Sequence, residues 1–482
     1  MNHGFKFIGI TLLGVCLFLT GCPDKAATDG DARKTGGDKA ETKQSDEPIG
    51  DKAAENLPKP AAAPADAEAA IVLIEKNNGT YEKNAVGTVV AMNLGLSQVV
   101  DESSEEGQNV TALFDAINKL VDLEKLSFEG PGIADFNVTR LTNLKKVKIV
   151  LFKNTNITTE SLDSMAKNMA ELTQLSVERC LGLDGDSLIA IADGMPNLKI
   201  LDLRSNAFKT FDIRVLADLP ALEQLDLRHC TVIEGDVLKY MEDIANLKVL
   251  RIHGTSYRDD SIAYLAGHPS LKTLAIQDSN VSDVSLDSIK EIPNLSDLSL
   301  FRLADITNDG LKKLGGMNLQ RLMVRDNENI NDEGIAIIQT MTALNRLMLY
   351  EVRAVTDDGL IAAIKGNKKL FDLAIYDMTG ITDKSLEAIR TTTALKNLEL
   401  RKTGQTDETL KLAARLPKLE TITIGDNSNF TDAGLAALGE SKTIKRINII
   451  DQTGISEQAI KEFKVKYPNI TVREDGTGGH ES

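Results

Sequence analysis

Residues 198–206 read Leu-Lys-Ile-Leu-Asp-Leu-Arg-Ser-Asn. Leu198, Leu201 and Leu203 follow the spacing apolar, two residues, apolar, one residue, apolar. In an extended segment side chains alternate, so Leu201 and Leu203 face one side while Asp202 and Arg204 face the other. The same spacing recurs with starts at Val89, Leu123, Leu144, Leu172, Leu198, Leu222, Leu247, Leu271, Leu295, Leu319, Leu344, Leu370, Leu395, Leu419, Ile444 and Tyr467. The first four steps are 34, 21, 28 and 26 residues, and from Leu198 onward every step lies between 23 and 26. A period held over about 270 residues marks a tandem structural repeat.

Each apolar strand pattern is followed by a second block. Examples are Ile306-Thr307-Asn308-Asp309-Gly310-Leu311 with Leu314, and Val355-Thr356-Asp357-Asp358-Gly359-Leu360 with Ile364. Phe430-Thr431-Asp432-Ala433-Gly434-Leu435 with Leu438 is a third. Apolar residues three or four apart indicate a helix. The Thr before it suits an N-cap, and acids in its first turn suit the helix dipole. Each unit therefore reads as strand, turn, helix, turn. One unit cannot bury its own apolar side, but stacked neighbours can.

This pattern resembles the leucine-rich repeat, and its Ile-Thr-Asp-x-Gly-Leu block resembles the cysteine-containing, ribonuclease-inhibitor-like subtype found in F-box substrate adaptors. It also resembles the leucine-rich repeat lipoproteins of planctomycete-like bacteria. The resemblance covers about residues 67–475 and implies an α/β solenoid, a horseshoe of about 15–16 repeats. It implies a concave parallel β-sheet with helices on the convex side. It is specific for fold and nearly silent on function.

The N-terminus reads as an address. Lys6 precedes an apolar run from Phe7 to Leu19, too short to span a bilayer comfortably and suited to a secretory signal. The run ends in Leu19-Thr20-Gly21-Cys22, which resembles the bacterial lipobox. The resemblance implies a signal peptide over 1–21, lipidation of Cys22 and localisation in the cell envelope, on the periplasmic or outer surface. Membrane association would run through that lipid anchor, because more than one acyl chain gives stable anchoring. Residues 22–66 then form a disordered tether, since 23–66 hold only two large aliphatic residues, Ile49 and Leu57. Asp66 to Lys76 reads as an amphipathic cap helix with Asp66 as its N-cap. The acidic stretch Asp101 to Glu106 reads as a loop, followed by a first convex helix from Val110 to Leu120. The repeats run over 67–475, with Ile470 and Val472 in the last strand and a frayed tail over 476–482.

Composition removes several function classes. The chain has 482 residues, 42% of them hydrophobic, so it is long and apolar enough to fold. Lys and Arg number 55 against 71 Asp and Glu, for a net charge of −16. That balance argues against a nucleic-acid partner and against electrostatic docking to anionic lipid. The sequence holds no metal-ligand spacing, phosphate-binding loop, nucleophile elbow or dinucleotide fingerprint. A fused catalytic domain would need a non-repeat stretch of about 100 residues. The expectation is a non-enzyme with no cofactor and no metal, acting as a monomer. Cys180 and Cys230 hold equivalent places in repeats separated by one other, so their Cα atoms should lie roughly 10 Å apart. That is too far for a disulfide, and both read as buried thiols. Asp226 and His253 are expected on neighbouring rungs, as part of a polar ladder.

A partner would meet the concave face. The residue after the last strand apolar runs Glu178, Arg204, Arg228, His253, Gln277, Phe301, Arg325, Tyr350, Tyr376 and Arg401. The position two residues earlier holds Asp202, Asp226, Arg251, Ala275, Ser299, Met323, Met348 and Ala374. Arg, aromatics and Met are enriched at binding hot spots. Arg204, Arg228, His253, Phe301, Arg325, Tyr350, Tyr376 and Arg401 are therefore the candidate binding residues. Their side chains are expected to face solvent and to take a protein or polysaccharide partner. The alternative is a purely structural envelope protein. A substrate-adaptor role like that of F-box proteins fits less well, because no F-box precedes the repeats and a lipobox is incompatible with cytosolic ubiquitin ligation.

Overall fold

The computed structural model describes residues 65–451 and 454–475. The signal peptide, Cys22, the tether and the 476–482 tail lie outside the described residues. Sixteen parallel strands, from Val89–Gly95 to Thr471–Asp475, pair in chain order, each with the next. Helical segments connect them on the other side of one continuous apolar core. Leu201, Leu203, Leu298, Leu300, Leu347 and Leu349 have no exposed surface. Phe114, Phe128 and Phe152 stack in the N-terminal part of the core, with centroids 5.5 Å apart at both steps. Most connecting segments are α-helical, but Thr210–Asp218 and Gly235–Tyr240 are 3₁₀.

The strand register corrects two repeat starts. Leu126 and Phe128 pair with Val150 and Phe152, so the third unit starts at Val147 and not at Leu144. The irregular steps of 21 and 28 become 24 and 25. Leu144, Val147 and Ile149 imitate the strand spacing because Leu144 is a buried residue of the preceding turn. At the far end Ile447 pairs with Val472, which moves the last start from Tyr467 to Asn469. Glu474 therefore stands where other strands carry a core residue, and it pairs with Lys464 beyond the end of the stack.

The N-terminal cover is larger than the sequence indicates. The helix α1 runs Ala65–Lys76, which puts Asp66 inside its first turn and not at its N-cap. A further strand, β1 (Thr80–Lys83), pairs antiparallel with β2 (Val89–Gly95). Asn84 Oδ1 accepts the backbone N–H groups of Val86 and Thr88, and Gly87 takes φ +86°, which closes the hairpin turn. The hairpin covers the edge that the first repeat strand would otherwise leave unpaired. The first long helix, α2, spans Glu105–Ile117 and is capped by Ser104. It takes in the end of the expected acidic loop and stops three residues before Leu120.

The Thr-Asp-x-Gly block is a junction between repeats. Thr307, Thr356, Thr406 and Thr431 each cap their own helix by accepting a backbone N–H two residues on. The Asp that commonly follows the cap does more than suit the dipole. Asp135, Asp259, Asp283, Asp332, Asp357, Asp383, Asp407 and Asp432 each accept both the hydroxyl and the backbone N–H of the next repeat's cap. The hydroxyl bonds are 2.5 to 2.9 Å long. These charge-assisted bonds tie unit to unit and fix the helix stacking.

The strands end in a repeated turn. Asn154, Arg179, Ser205, His229, Asp278, Arg302, Asp326, Glu351, Asp377, Lys402, Asp426 and Asp451 all have φ between +42° and +62°. Gly130 and Gly254 fill the same place in two other rungs. One residue beyond it, Thr155, Cys180, Asn206, Cys230, Ser279, Asn327, Thr403 and Asn427 point into the core and are buried. Asn206 Nδ2 donates to the carbonyls of Val177 and Leu203, and Asn206 Oδ1 accepts Cys180 N–H. Cys180 and Cys230 are both unpaired, and burial pushes each thiol up to about 11.

Candidate functional site

Three side-chain rows run across the outward face of the sheet. One contains His253, Gln277, Phe301, Arg325, Tyr350, Tyr376 and Arg401, in direct register. The second contains Arg251, Ala275, Ser299, Met323, Met348, Ala374 and Glu399. The third contains Val249, Thr273, Asp297, Arg321, Arg346, Asp372 and Asn397. Arg204 and Arg228 extend the first row just beyond the short strands Ile200–Asp202 and Gln224–Asp226.

The row is far less open than its side of the sheet implies. Phe301 and Tyr350 are 7% exposed and Arg401 is 4% exposed. An aromatic ring is wider than the roughly 4.8 Å between strands, so the side chains must tilt over one another. The Arg325 and Arg302 guanidinium carbons lie 4.4 and 4.7 Å from the Phe301 centroid. Tyr350 meets Tyr376 edge to face at 6.2 Å, and Arg401 stacks on Tyr376 at 4.8 Å. These are cation–π and aromatic geometries that stabilise the row itself.

The arginines are also paired within the face. Arg204 reaches Asp202 at 2.9 Å and Glu178 at 3.1 Å. Arg228 holds Asp226 at 2.9 Å, Arg325 meets Glu351 at 3.3 Å, and Arg401 meets Asp426 at 2.7 Å. Asp226 and His253 stand on neighbouring rungs as expected, and His253 Nε2 lies 3.0 Å from Asp278 on the next rung. Its ring packs on His229 at 4.0 Å. Burial, then the neighbouring His253 and Arg228, hold His229 below the usual histidine range. Along the rim Arg302 bridges Asp278 and Asp326, and Arg353 joins Asp377 to Glu351.

One hollow of about 480 Å³ opens in this face. Arg228, Phe301, Arg325 and Tyr350 of the expected row line it. The expected residues Arg204, His253, Tyr376 and Arg401 do not. Arg251, Ala275, Ser299, Arg321, Met323 and Met348 also line it and were not singled out as site residues. The signal was legible in the second row: Ala275 and Ser299 are small, while Arg251, Met323 and Met348 on either side are large. Two short side chains between long ones leave a depression in an otherwise covered sheet. Among the described residues no group of three or more His, Cys, Asp or Glu is arranged to hold a metal ion. No described helix is long and apolar enough to cross a membrane.

The family model for the leucine rich repeat matches residues 170–232. A chain of the yeast Rad7–Elc1 complex superimposes with a TM-score of 0.53 at 18% identity, over 85% of this chain and 92% of that one. The fold is a leucine-rich repeat solenoid. A chain of the TLR13–ssRNA13 complex aligns at 16% identity with a TM-score of 0.47, covering 71% of this chain and 57% of that one. An internalin of Listeria monocytogenes aligns at 17% identity with a TM-score of 0.37, covering 79% and 94%. A search of curated protein sequences finds no match. These likenesses concern the leucine-rich repeat fold alone.

Proposed function

We propose that this leucine-rich repeat chain is a non-catalytic binding scaffold, lipid-anchored in the cell envelope, whose outward sheet face holds a protein partner. The observation that carries the reading is the in-register row Phe301, Arg325, Tyr350, Tyr376 and Arg401 beside the hollow. Stacked rings and paired arginines give a rigid surface, so little side-chain freedom is lost on binding. Sixteen rungs offer far more length than a metabolite needs. The anchor reading rests on the Leu19-Thr20-Gly21-Cys22 sequence. The partner is expected to be partly acidic, with association slowed by salt.

The test is capture from envelope extract with the full chain and with Tyr376→Ala and Arg325→Ala. Loss of the same captured protein with both variants supports the reading. Undiminished capture by both, together with loss on changing the exposed helix-side residues Ile189 and Val284 to Asp, places the partner on the other side and refutes it. For the anchor, palmitate-analogue labelling should be abolished by Cys22→Ala. Label retained in that variant refutes lipidation at Cys22.

A further inference from the structure

The four arginines that line the hollow are not partnered alike. Arg228 is held in a double-pronged pair by Asp226, with bonds of 2.9 to 3.2 Å. Arg321 Nη1 lies 3.1 Å from both oxygens of Asp297, and its Nη2 reaches Met348 Sδ. Arg325 meets Glu351, while its buried Nε finds no partner. Arg251 differs from all three. Among the described residues its guanidinium makes no hydrogen bond and no ion pair, although it lines the hollow. Burial pushes it below the usual arginine range, Asp226 and Asp297 pull it up from a distance, and Arg228 pushes it down again. A partly desolvated cation without an anion is a costly arrangement unless a ligand completes it.

Thr273, Gln277, Asp297, Arg321 and Arg325 make much of the remaining lining polar, and the apolar groups gather along one side. Ala275 and Ser299 form the floor, and Phe301, Met323, Met348 and Tyr350 form the far wall. Arg251 and Met323 stand in the same row three strands apart, about 14 Å between Cα atoms at strand spacing. An Arg side chain covers nearly half of that distance. The gap left between guanidinium and wall is about the size of one residue.

We propose that this hollow receives the C-terminal residue of a protein partner, its α-carboxylate on Arg251 and its apolar side chain against Phe301, Met323 and Met348. The inference rests on the reading that the sheet face is the binding face. Three acids, Asp226, Asp297 and Glu351, already answer Arg228, Arg321 and Arg325 directly, which leaves Arg251 as the lining guanidinium without an anion in direct contact. One carboxylate matches it, and a phosphate dianion or a polyanion exceeds it. An internal Asp or Glu supplies the charge but leaves the apolar wall uncovered. A terminal Leu or Phe supplies both groups from one residue. Fork-shaped guanidinium recognition of a carboxylate also fixes the orientation of the chain end.

The probe is the peptide acetyl-Ala-Ala-Phe with a free carboxyl, added to full chain carrying ¹³C-methyl methionine. Binding should shift the Met323 and Met348 methyl signals, assigned by single Met→Leu replacement. The amidated peptide should bind at least tenfold more weakly. Arg251→Gln should abolish that difference, and Ala275→Leu should block both peptides by filling the floor. Circular dichroism melts confirm that both variants fold. Equal binding of acid and amide overturns the proposal, as does absence of any Met323 or Met348 shift at millimolar peptide. Equal binding of acetyl-Ala-Asp-Phe-amide assigns the site to internal acids, and equal shifts with inorganic phosphate assign it to anions at large; either overturns it. If the peptide fails while Tyr376→Ala still abolishes capture of the envelope partner, the hollow is misassigned and the face is not.

Discussion

Gly359 leaves room for the carboxylate of Asp332 in the preceding repeat. A β-carbon on Gly359 would collide with Asp332 Oδ1, the atom that accepts the Thr356 N–H at 2.7 Å. Gly310 and Gly434 stand in the same relation to Asp283 and Asp407. Where the place holds a hydroxyl residue, that residue joins the network: Ser161 donates to Asp135, and Thr409 donates to Asp383.

Gly359→Ala should therefore destabilise the fold. In an open helix the change would gain up to about 1 kcal/mol of propensity. Here the overlap must displace a bonded carboxylate, an overpacking cost of about 1–3 kcal/mol. Because Gly359 lies in the first helical turn, the propensity gain is small and the clash wins. A chemical-denaturation midpoint equal to or above wild type would contradict this account of the motif.

The carboxylate ladder also sets the acid limit of stability. Burial pushes Asp259 and Asp383 up, but hydrogen bonds from Ser282 and Ser285, and from Thr406 and Thr409, outweigh it and hold both below the usual carboxylate range. Asp377 is likewise held down by Arg353 and Lys402 against its burial. A depressed folded value gives stability that is present above the unfolded value, about 3.9, and lost as pH falls through the folded one. Asp372 runs the opposite way, raised by burial beyond what Arg346 offsets. Hydrogen bonds also hold Asp101, Asp115 and Glu420 below their usual range, so with six depressed groups against one raised, melting temperature should hold level above about pH 5 and fall steeply below pH 4. Asp383→Asn should flatten that acid slope; an unchanged slope would count against the ladder.

The repeat period, the strand faces and the helix caps were legible because each depends on local spacing. The register at Leu144 was not, since a buried turn leucine imitates a strand position and only pairing with Leu126 and Phe128 decides between them. The hairpin strand β1 was missed because Thr80–Lys83 carries no apolar alternation and is held by its pairing with β2. The expected binding row was correctly aligned, but its burial was not foreseen. Sequence shows which side of a strand Tyr350 takes. It does not show that Arg325, Tyr376 and their carboxylates fill the space above the sheet.

The left-handed turn residues make a further test. Arg179 is exposed, has φ +53°, and among the described residues makes no ion pair to compensate for the strain of that conformation. A left-handed residue with a β-carbon costs roughly 1–2 kcal/mol, against a glycine entropy cost of about 0.5–1 kcal/mol. Arg179→Gly should raise stability by up to about 1 kcal/mol. The same change at Lys402 should gain less, because Lys402 lies 3.0 Å from Asp377. Destabilisation at Arg179 measured by denaturation would show that the turn is not strained.

Cys180 and Cys230 should behave as closed thiols. With each pushed up to about 11 by burial, the thiolate fraction at pH 8 is on the order of a thousandth. Maleimide should label neither in native protein and both through the denaturation transition. A native crosslink between them would contradict the register that separates their strands.

Tyr350 and Tyr376 close the argument about the sheet face. Tyr350 is buried against Tyr376 in an edge-to-face pair, so its removal empties packed space on a side that sequence alone assigns to solvent. Tyr350→Ala should cost about 3 kcal/mol, the lower end for a buried aromatic, because water can enter the space from the open face. Half-buried Tyr376 should cost less. The ring pair itself contributes about 0.5–1.5 kcal/mol beyond burial, so the double variant should lose less than the sum of the single losses by about that amount. Strict additivity would mean that the rings pack independently. The result also governs how binding data are read. A partner lost with Tyr350→Ala is open to explanation by a loosened row, whereas Arg251→Gln keeps most of the packed stem and removes a guanidinium that makes no hydrogen bond or ion pair among the described residues, and so separates recognition from support.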